Sequence, residues 1–455
     1  MSTIIIMGDF MEKIIYNLND ILWGFFMIAL LILTHIYMTF KTGFIQKKTF
    51  YAIRLSISGD ARVKKEGASP FGALMTSLAA TLGTGNIIGV GTAVYLGGAG
   101  AVFWCWLTGV LGFATKYAET YIALKYRVFK KDGKATGGAM YVLKNRLGYK
   151  LLSFLFALFC VLASLGVGCS VQVSSIKDAV SHLNMSDLSV GIILAVLVFL
   201  SVSGGIKSVF GLLEKLIPFM CGLFLLGSFL VLFINYAYIK EALISIFREA
   251  FSVRSLGAGI LGRGIMCAMR YGTSRGLFSN EAGMGASAIA SCQGGGDDNV
   301  SEALIASVAT FFDTVVMCFI TGLCIVSSVL KNPSLLSLGE TKLCEGAFSV
   351  LPFGESFIRA SIVLFAFSTV VGWAFYGEGA SEFLLGKKGI FLYRALLFIT
   401  VIFSCFVKSE TVWAASDIFN ALMAFPNLIM LFILSDEIEK DTKNYFAKKG
   451  IKKST

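Results

Sequence analysis

At 455 residues, 56% of them hydrophobic and only 15% charged, the chain is too apolar for a water-soluble domain. Its mean hydropathy is +0.78, and its formal net charge is +11 at pH 7. Composition therefore excludes an ordinary soluble enzyme or binding domain and points to a polytopic membrane protein that carries its charge in its loops.

Apolar stretches near the roughly 20 residues that a helix needs to cross a bilayer recur along the chain. They are Ile21 to Phe40, Phe71 to Tyr95, Ala101 to Leu124, Leu151 to Gln172, Leu188 to Ser203, Leu212 to Ile234, Leu256 to Ser291 with interruptions, Ala303 to Leu330, Phe357 to Leu385, Ile390 to Phe406 and Val412 to Leu434. Eleven transmembrane helices are predicted. Asp9, Glu12 and Asp20 precede the first run and no small-residue cleavage site ends it, so an uncleaved span is expected rather than a signal peptide. Lys and Arg set the orientation. Seven lie between Lys41 and Glu66, eight between Lys125 and Lys150, and six after Asp436. With those near Lys207 and Lys387, most of the 39 basic residues fall on one side. That side is expected to be cytoplasmic, with the N-terminus outside, the C-terminus inside and a basic tail over 436–455. Because the basic residues alternate loop by loop, they read as topology and not as a nucleic-acid surface.

The ten cysteines are scattered without a C-x-x-C pair, and the only histidines are His35 and His182, so neither a metal site nor a disulfide framework is indicated. No His-Asp-Ser set and no paired carboxylates with a partner base occur, which leaves an enzyme reading without support. No obligate protein partner is evident.

Two runs are interrupted. In the second, TLGTGNIIGV from Thr81 to Val90 sets two threonines, a doubled glycine and an asparagine inside an apolar stretch. Freed backbone groups are tolerated at membrane depth only where they face protein, a cavity or a ligand, so the break marks a candidate substrate site. Gly83, Gly85 and Gly89 miss the dinucleotide spacing, while Gly85 and Gly89 also fit the G-x-x-x-G helix-packing pattern. In the seventh run, GRGIMCAMRYGTSRGLFSNEAGMGASAIA carries Arg263, Arg270, Arg275 and Glu281. Charges there cost about 2.5–3.5 kcal/mol each at a helix centre and are expected to face protein or water. Five spans separate the two breaks, the spacing of a five-plus-five inverted repeat. The chain is thus read as one transporter domain over 1–455, with an extra helix at 21–40, repeat one over about 71–234 and repeat two over about 256–434. Residues Gln46 to Lys65 read either as a basic amphipathic segment on the inner membrane surface or as a plain loop.

Asn86 follows the glycine best able to leave the helix, and its amide needs partners. N–H groups freed at a half-helix start suit a carboxylate, and carbonyls freed at a half-helix end suit a cation. In FSTVVGWAFYGE, Ser368 and Thr369 are adjacent, with Trp373 one turn on. The hydroxyls are either cation ligands or bonded back to their own helix, and the indole either walls a pocket or packs. Gln172 is the one amide of the fourth run, among Gly166, Gly168 and Ser170. Asp313, Glu378, Glu382 and Asp417 either pair with Arg270 and Arg275, the favoured reading, or relay protons.

The strings TLGTGNIIGVGTAVYLGGAGAVFWCW, GFATKYAETYIALKYR, TGGAMY, TSRGLFSNEAGMGASAIA and TVVGWAFYGE closely resemble the alanine or glycine:cation symporter family, from Trp23 to Leu434. The chain departs from that family's usual pattern at Gly72, where glutamine is common, and in the GGAGA loop, where proline is. The resemblance implies an all-α, leucine-transporter-like inverted repeat with one extra N-terminal helix, in a bacterial or archaeal cytoplasmic membrane. It implies sodium-driven symport of alanine, glycine or D-alanine, with sodium as a carried ion and no cofactor. A proton-coupled permease is the alternative and a channel a more distant one. Carried over by residue, Thr81, Thr84, Gly85 and Asn86 would meet the substrate's carboxylate and ammonium, joined by Gln172 and, at the second break, Gly272 and Ser274. Thr369 and Trp373 would wall the side-chain pocket. By similarity to the sodium site shared across this fold, the carbonyls of Ala79 and Leu82 with the hydroxyls of Ser368 and Thr369 would hold the ion.

Overall fold

The computed structural model describes residues 13–58, 70–130, 135–252, 264–293, 298–407 and 409–449. Arg263 and the start of the seventh run, residues 59–69 of the first basic connection, Lys131, Lys134, the side chain of Lys207 and the tail beyond Lys449 lie outside them.

Apolar runs close into helices because a backbone surrounded by apolar groups can satisfy its N–H and C=O groups only internally. In chain order the helices are α1 (Phe25–Lys41), α2 (Thr49–Ser58), α3 (Pro70–Thr81), α4 (Ile88–Gly97), α5 (Gly100–Lys125), α6 (Ala139–Asn145), α7 (Lys150–Leu165), α8 (Val171–Val180), α9 (Asp187–Ser203) and α10 (Gly205–Ile234). They continue as α11 (Tyr236–Glu249), α12 (Ile265–Asn280), α13 (Ala288–Ser291), α14 (Asn299–Thr310), α15 (Phe319–Lys331), α16 (Leu343–Phe348), α17 (Gly354–Leu385), α18 (Lys387–Ser404), α19 (Ser409–Ile433) and α20 (Ser435–Lys448). A two-stranded hairpin, Val128–Phe129 with Ala135–Thr136, is the only sheet among the described residues.

Among the described residues, six helices are long and apolar enough to cross a membrane, and a bent pair makes a seventh. The other four predicted runs are also helical over their described residues but depart from a plain span for physical reasons. α5 carries Lys116, Glu119 and Lys125, α9 is 17 residues long, α12 stops at Asn280, and α18 carries Lys387, Lys388 and Arg394.

Both predicted breaks are real. The bent pair, Leu74–Thr81 with Thr84–Gly97, turns by 60°. In the seventh run, Glu281, Gly283 and Gly285 all take positive φ directly after α12, a conformation cheap for glycine and strained for glutamate. Two further irregularities were not anticipated: π-helical turns at Gly166–Ser170, joining α7 to α8, and at Phe311–Cys318, joining α14 to α15. Such turns shift the register of a helix and free a carbonyl, and they recur at functional sites.

The acidic start of α20 is clasped by basic residues from several predicted cytoplasmic ends. Lys41 reaches Asp436 at 2.5 Å and Glu439 at 3.0 Å, and Lys125 reaches both Glu437 and Asp441 at 2.5 Å. Partial burial opposes ionisation of Glu437 and Asp441. Hydrogen bonds from Lys125, with Tyr126 on the one and Tyr121 on the other, nevertheless hold them below their ordinary values of 4.5 and 3.8. Carboxyls depressed in this way contribute their full stability above the ordinary value and lose it as pH falls through the docked-state value. α20 is therefore expected to stay docked at neutral pH and loosen below about pH 4. A spin label at Lys448 should gain mobility only on that acid limb, and unchanged mobility there would remove the clasp's importance.

Candidate functional site

Three helices converge where the second run breaks. α3 ends with the carbonyls of Ala79 and Leu82 free of regular helix partners, and the Thr369 hydroxyl of α17, with one hydrogen to give, stands 3.0 and 3.2 Å from them and 3.1 Å from Phe365 O on its own helix. From α8, Gln172 accepts the Thr84 N–H at 3.2 Å on Oε1 and donates from Nε2 to Val167 O, inside the preceding π turn, at 3.1 Å. That turn thus both frees a carbonyl and brings the amide that uses it. Gly83 lies between the two side chains: a Cβ there would stand 2.7 Å from Thr369 Oγ1 and 3.1 Å from Gln172 Oε1. Gly372 permits the approach of α17, since its Cβ would meet Ala80 N at 2.9 Å.

Asn86 holds the break from inside. Its Oδ1 accepts the Gly83 N–H at 3.0 Å, while its Nδ2 donates to Asp313 Oδ1 at 2.7 Å and to Asp313 O at 3.1 Å. Asp313, in the second π turn, also accepts from Ser279 Oγ at 2.8 Å and Thr314 Oγ1 at 2.6 Å. The amide expected to meet substrate is therefore engaged by the protein in this conformation. Gly85 packs against Phe278 and Ser279 of α12, which ties the two breaks together.

The remaining expected residues divide. Trp373 is buried against the π turn, where Gly168 faces its Cβ and ring. Thr81 bonds back to Ser77 O at 3.1 Å, and Ser368 to Phe365 O at 2.8 Å. Thr84 Oγ1 is buried without a partner. Gly272 lies against α5, where a Cβ would stand 2.3 Å from Ala101 O and 2.8 Å from Trp104; its visible role is close helix packing. Ser274 is buried two residues on.

The expected pairing of the acids with Arg270 and Arg275 holds only for Asp417, 3.3 Å from Arg275. Arg270 pairs with Asp20, Glu378 with Arg394 at 2.6 Å, and Glu382 with Lys130 at 2.6 Å. Asp313 has hydroxyl and amide donors in place of an arginine. Arg270 and Asp20 lie 250 residues apart, which no spacing anticipates, whereas Arg394 lies only 16 residues from Glu378 on the next helix.

A second buried cluster escaped the sequence reading altogether. Glu119 Oε2 accepts from the backbone N–H groups of Gly283 and Gly285, each at 3.1 Å, and from Asn427 Nδ2 at 3.0 Å. Lys116 lies 3.9 Å from Glu119 Oε1 and donates to Asn280 O at 3.3 Å. The unwound second break is thus clamped by α5 and α19. Its one sequence signal was a lysine and a glutamate three apart inside the apolar run of α5, one helical turn on the same face.

A broken apolar helix whose freed carbonyls face a hydroxyl from a second helix, held by buried amides, is the construction of a secondary active transporter. The sodium:alanine symporter family matches residues 8–455. The sodium/alanine symporter AgcS of Methanococcus maripaludis is 40% identical over 96% of this chain and 97% of its own length. The probable sodium/glutamine symporter GlnT of Bacillus subtilis is 32% identical over 97% and 92%. Among solved structures, MhsT in complex with L-phenylalanine superposes with a TM-score of 0.58 at 14% identity, over 84% of this chain and 99% of its own. A sodium-coupled sialic acid symporter does so at 0.55 and 15%, over 91% and 87%. These two share the fold. The chain belongs to the sodium:alanine symporter family; it is a multi-pass membrane transporter, not an enzyme.

Proposed function

We infer that this protein carries a small neutral amino acid, alanine, glycine or D-alanine, into the cell together with sodium by alternating access. The architecture we assign is eleven spans, an extra N-terminal helix followed by two inverted five-helix repeats, with the N-terminus outside and the C-terminus cytoplasmic. Family membership and the printed activities of the sodium/alanine and sodium/glutamine relatives support the cargo.

The single observation that carries the reading is the Thr369 hydroxyl set between the carbonyls of Ala79 and Leu82. These are hard oxygen donors at the negative end of a half-helix, the chemistry a sodium ion needs. With the ion between them, the hydroxyl would turn from donor to ligand, and Ser368 would complete the set by leaving Phe365 O. The ion would then fix α3 against α17 and so shape the cradle formed by Gly83, Thr84, Gly85 and Asn86 for the substrate's charged groups. Thr81, Gly272 and Ser274 would act as supports of the two breaks. Because both ligands favour one arrangement, each raises affinity for the other by the same factor.

The test is uptake of labelled alanine into proteoliposomes under sodium, proton and potassium gradients of equal size. Saturable uptake that needs sodium and is competed by glycine is expected, and uptake driven equally by the proton gradient would overturn the reading. The proton-coupled alternative requires Asp313, Glu378 or Asp417 to exchange a proton, and of these Asp313 is the one bonded to the first break. Its donors can instead be served by an amide of the same shape, since the hydroxyls of Ser279 and Thr314 rotate. D313N is therefore expected to keep most sodium-driven uptake, and loss of all transport in a folded D313N protein would favour the proton relay.

A further inference from the structure

The chain leaves α1 through a turn that is costly to hold. Gly43 and Phe44 both take positive φ, 66° and 60°, a backbone that suits glycine but strains a bulky aromatic residue. A short 3₁₀ turn at Ile45–Lys48 then leads into α2, the helical part of the segment that reads from sequence as amphipathic or as a loop. The turn leaves Phe44 exposed, edge-on to Phe40 at the end of α1 with ring centroids 5.3 Å apart. The Lys47 ammonium lies 5.9 Å from the Phe44 ring.

α2 has two unlike faces. Ala52 and Ser56, one turn apart, are buried, and the helix packs on α14. On the other side Phe50, Arg54 and Ile57 stand at spacings of four and then three, so they share one face. Phe50 is 80% exposed and Ile57 74%, and Arg54 between them is exposed as well. From Lys41 to Gly59 the sequence holds no acidic residue. Two of its four basic residues turn inward: Lys41 reaches Asp436, and Lys48 lies 5.6 Å from the Phe446 ring, both on α20. Lys47 and Arg54 are the two that remain exposed.

A face that meets only lipid tails looks different. Along α9 the exposed Ile192, Val196 and Phe199 run with no charge among them. Water alone does not suit the outer face of α2 either, since it would leave two large apolar side chains and a strained aromatic residue uncovered. Cations set among aromatic and aliphatic side chains, directly after the first span, fit the boundary between headgroups and acyl chains. There the apolar groups enter the hydrocarbon edge and the charges stay with phosphate.

We propose that this face of the protein, made by Phe44, Lys47, Phe50, Arg54 and Ile57, docks on anionic phospholipid at the bilayer surface. Each basic residue near an anionic leaflet is worth about five-fold in docking, and salt screens that attraction. The surface lies apart from both breaks and does not depend on which amino acid or ion is carried.

The test places an environment-sensitive fluorophore on I57C in the full-length protein, with C267S removing the exposed one of its ten cysteines. The protein is reconstituted in phosphatidylcholine vesicles with and without phosphatidylglycerol, and in matching vesicles with brominated acyl chains. Emission is expected to shift to the blue and to be quenched by the bromine, more strongly where phosphatidylglycerol is present. R54Q is expected to lower the ratio of docked to undocked label about five-fold, and added salt should act in the same direction. Unquenched, water-like emission in both vesicles would refute the docking, and equal quenching with and without phosphatidylglycerol would refute an anionic lipid as its partner. Quenching that neither R54Q nor K47Q alters would do the same. Should I57C not fold, F50C carries the label on the same face two turns earlier, with the same outcomes.

Discussion

Replacing Glu119 by leucine is expected to leave little folded protein. The change would orphan the N–H groups of Gly283 and Gly285, free the Asn427 amide and strand a fully buried Lys116 without its acid. Removing one partner of a buried pair costs about 3–5 kcal/mol, a large share of the about 5–15 kcal/mol by which a folded domain is stable. E119Q separates the contributions. One carboxylate oxygen takes all three hydrogen bonds, so the glutamine carbonyl can keep them while its NH₂ faces Lys116. An intermediate loss is expected, relieved in K116M/E119Q where the stranded charge is gone. Thermal unfolding in detergent, followed by size-exclusion fluorescence, reads the series. A melting temperature for E119L equal to that of the wild type would show that the second break does not depend on this clamp.

The second large effect falls on coupling rather than folding. T369V keeps the shape of the side chain but removes the hydroxyl that meets Ala79 O and Leu82 O. Losing a buried polar partner is worth about 1–3 kcal/mol, which at its upper end is a change of roughly 100-fold in sodium affinity. Alanine uptake by T369V should thus need far more sodium or fail, while T369S should stay near the wild type. Sodium titration of uptake in proteoliposomes measures both. An unaltered sodium dependence in T369V would move the ion away from this junction.

The local pattern of the chain carried a good deal. Over the described residues the apolar runs became helices, and both interruptions became breaks, because glycine density and polar residues act within a few positions of themselves. GTGN unwinds where Gly83 and Asn86 can bond one another, and SNEAGMG unwinds where Gly283 and Gly285 can take positive φ. Lys41 and Lys125 both reach one helix, α20, whose acids lie in its first two turns.

What sequence separation hid was partnership. Asn86 and Asp313 lie 227 residues apart, Glu119 and Asn427 lie 308 apart, and Thr369 and Ala79 lie 290 apart. No periodicity links such positions, so Asp313 was read as an acid in search of an arginine and Glu119 was not singled out at all. The π turns were equally silent, because a one-residue shift in a helix leaves composition unchanged. Helix positions and breaks follow from short-range chemistry that a single strand of residues records. The choice of which buried amide, hydroxyl and carboxylate satisfy one another is made by packing, when distant segments are brought to the same depth and every unpaired polar group there must find a neighbour.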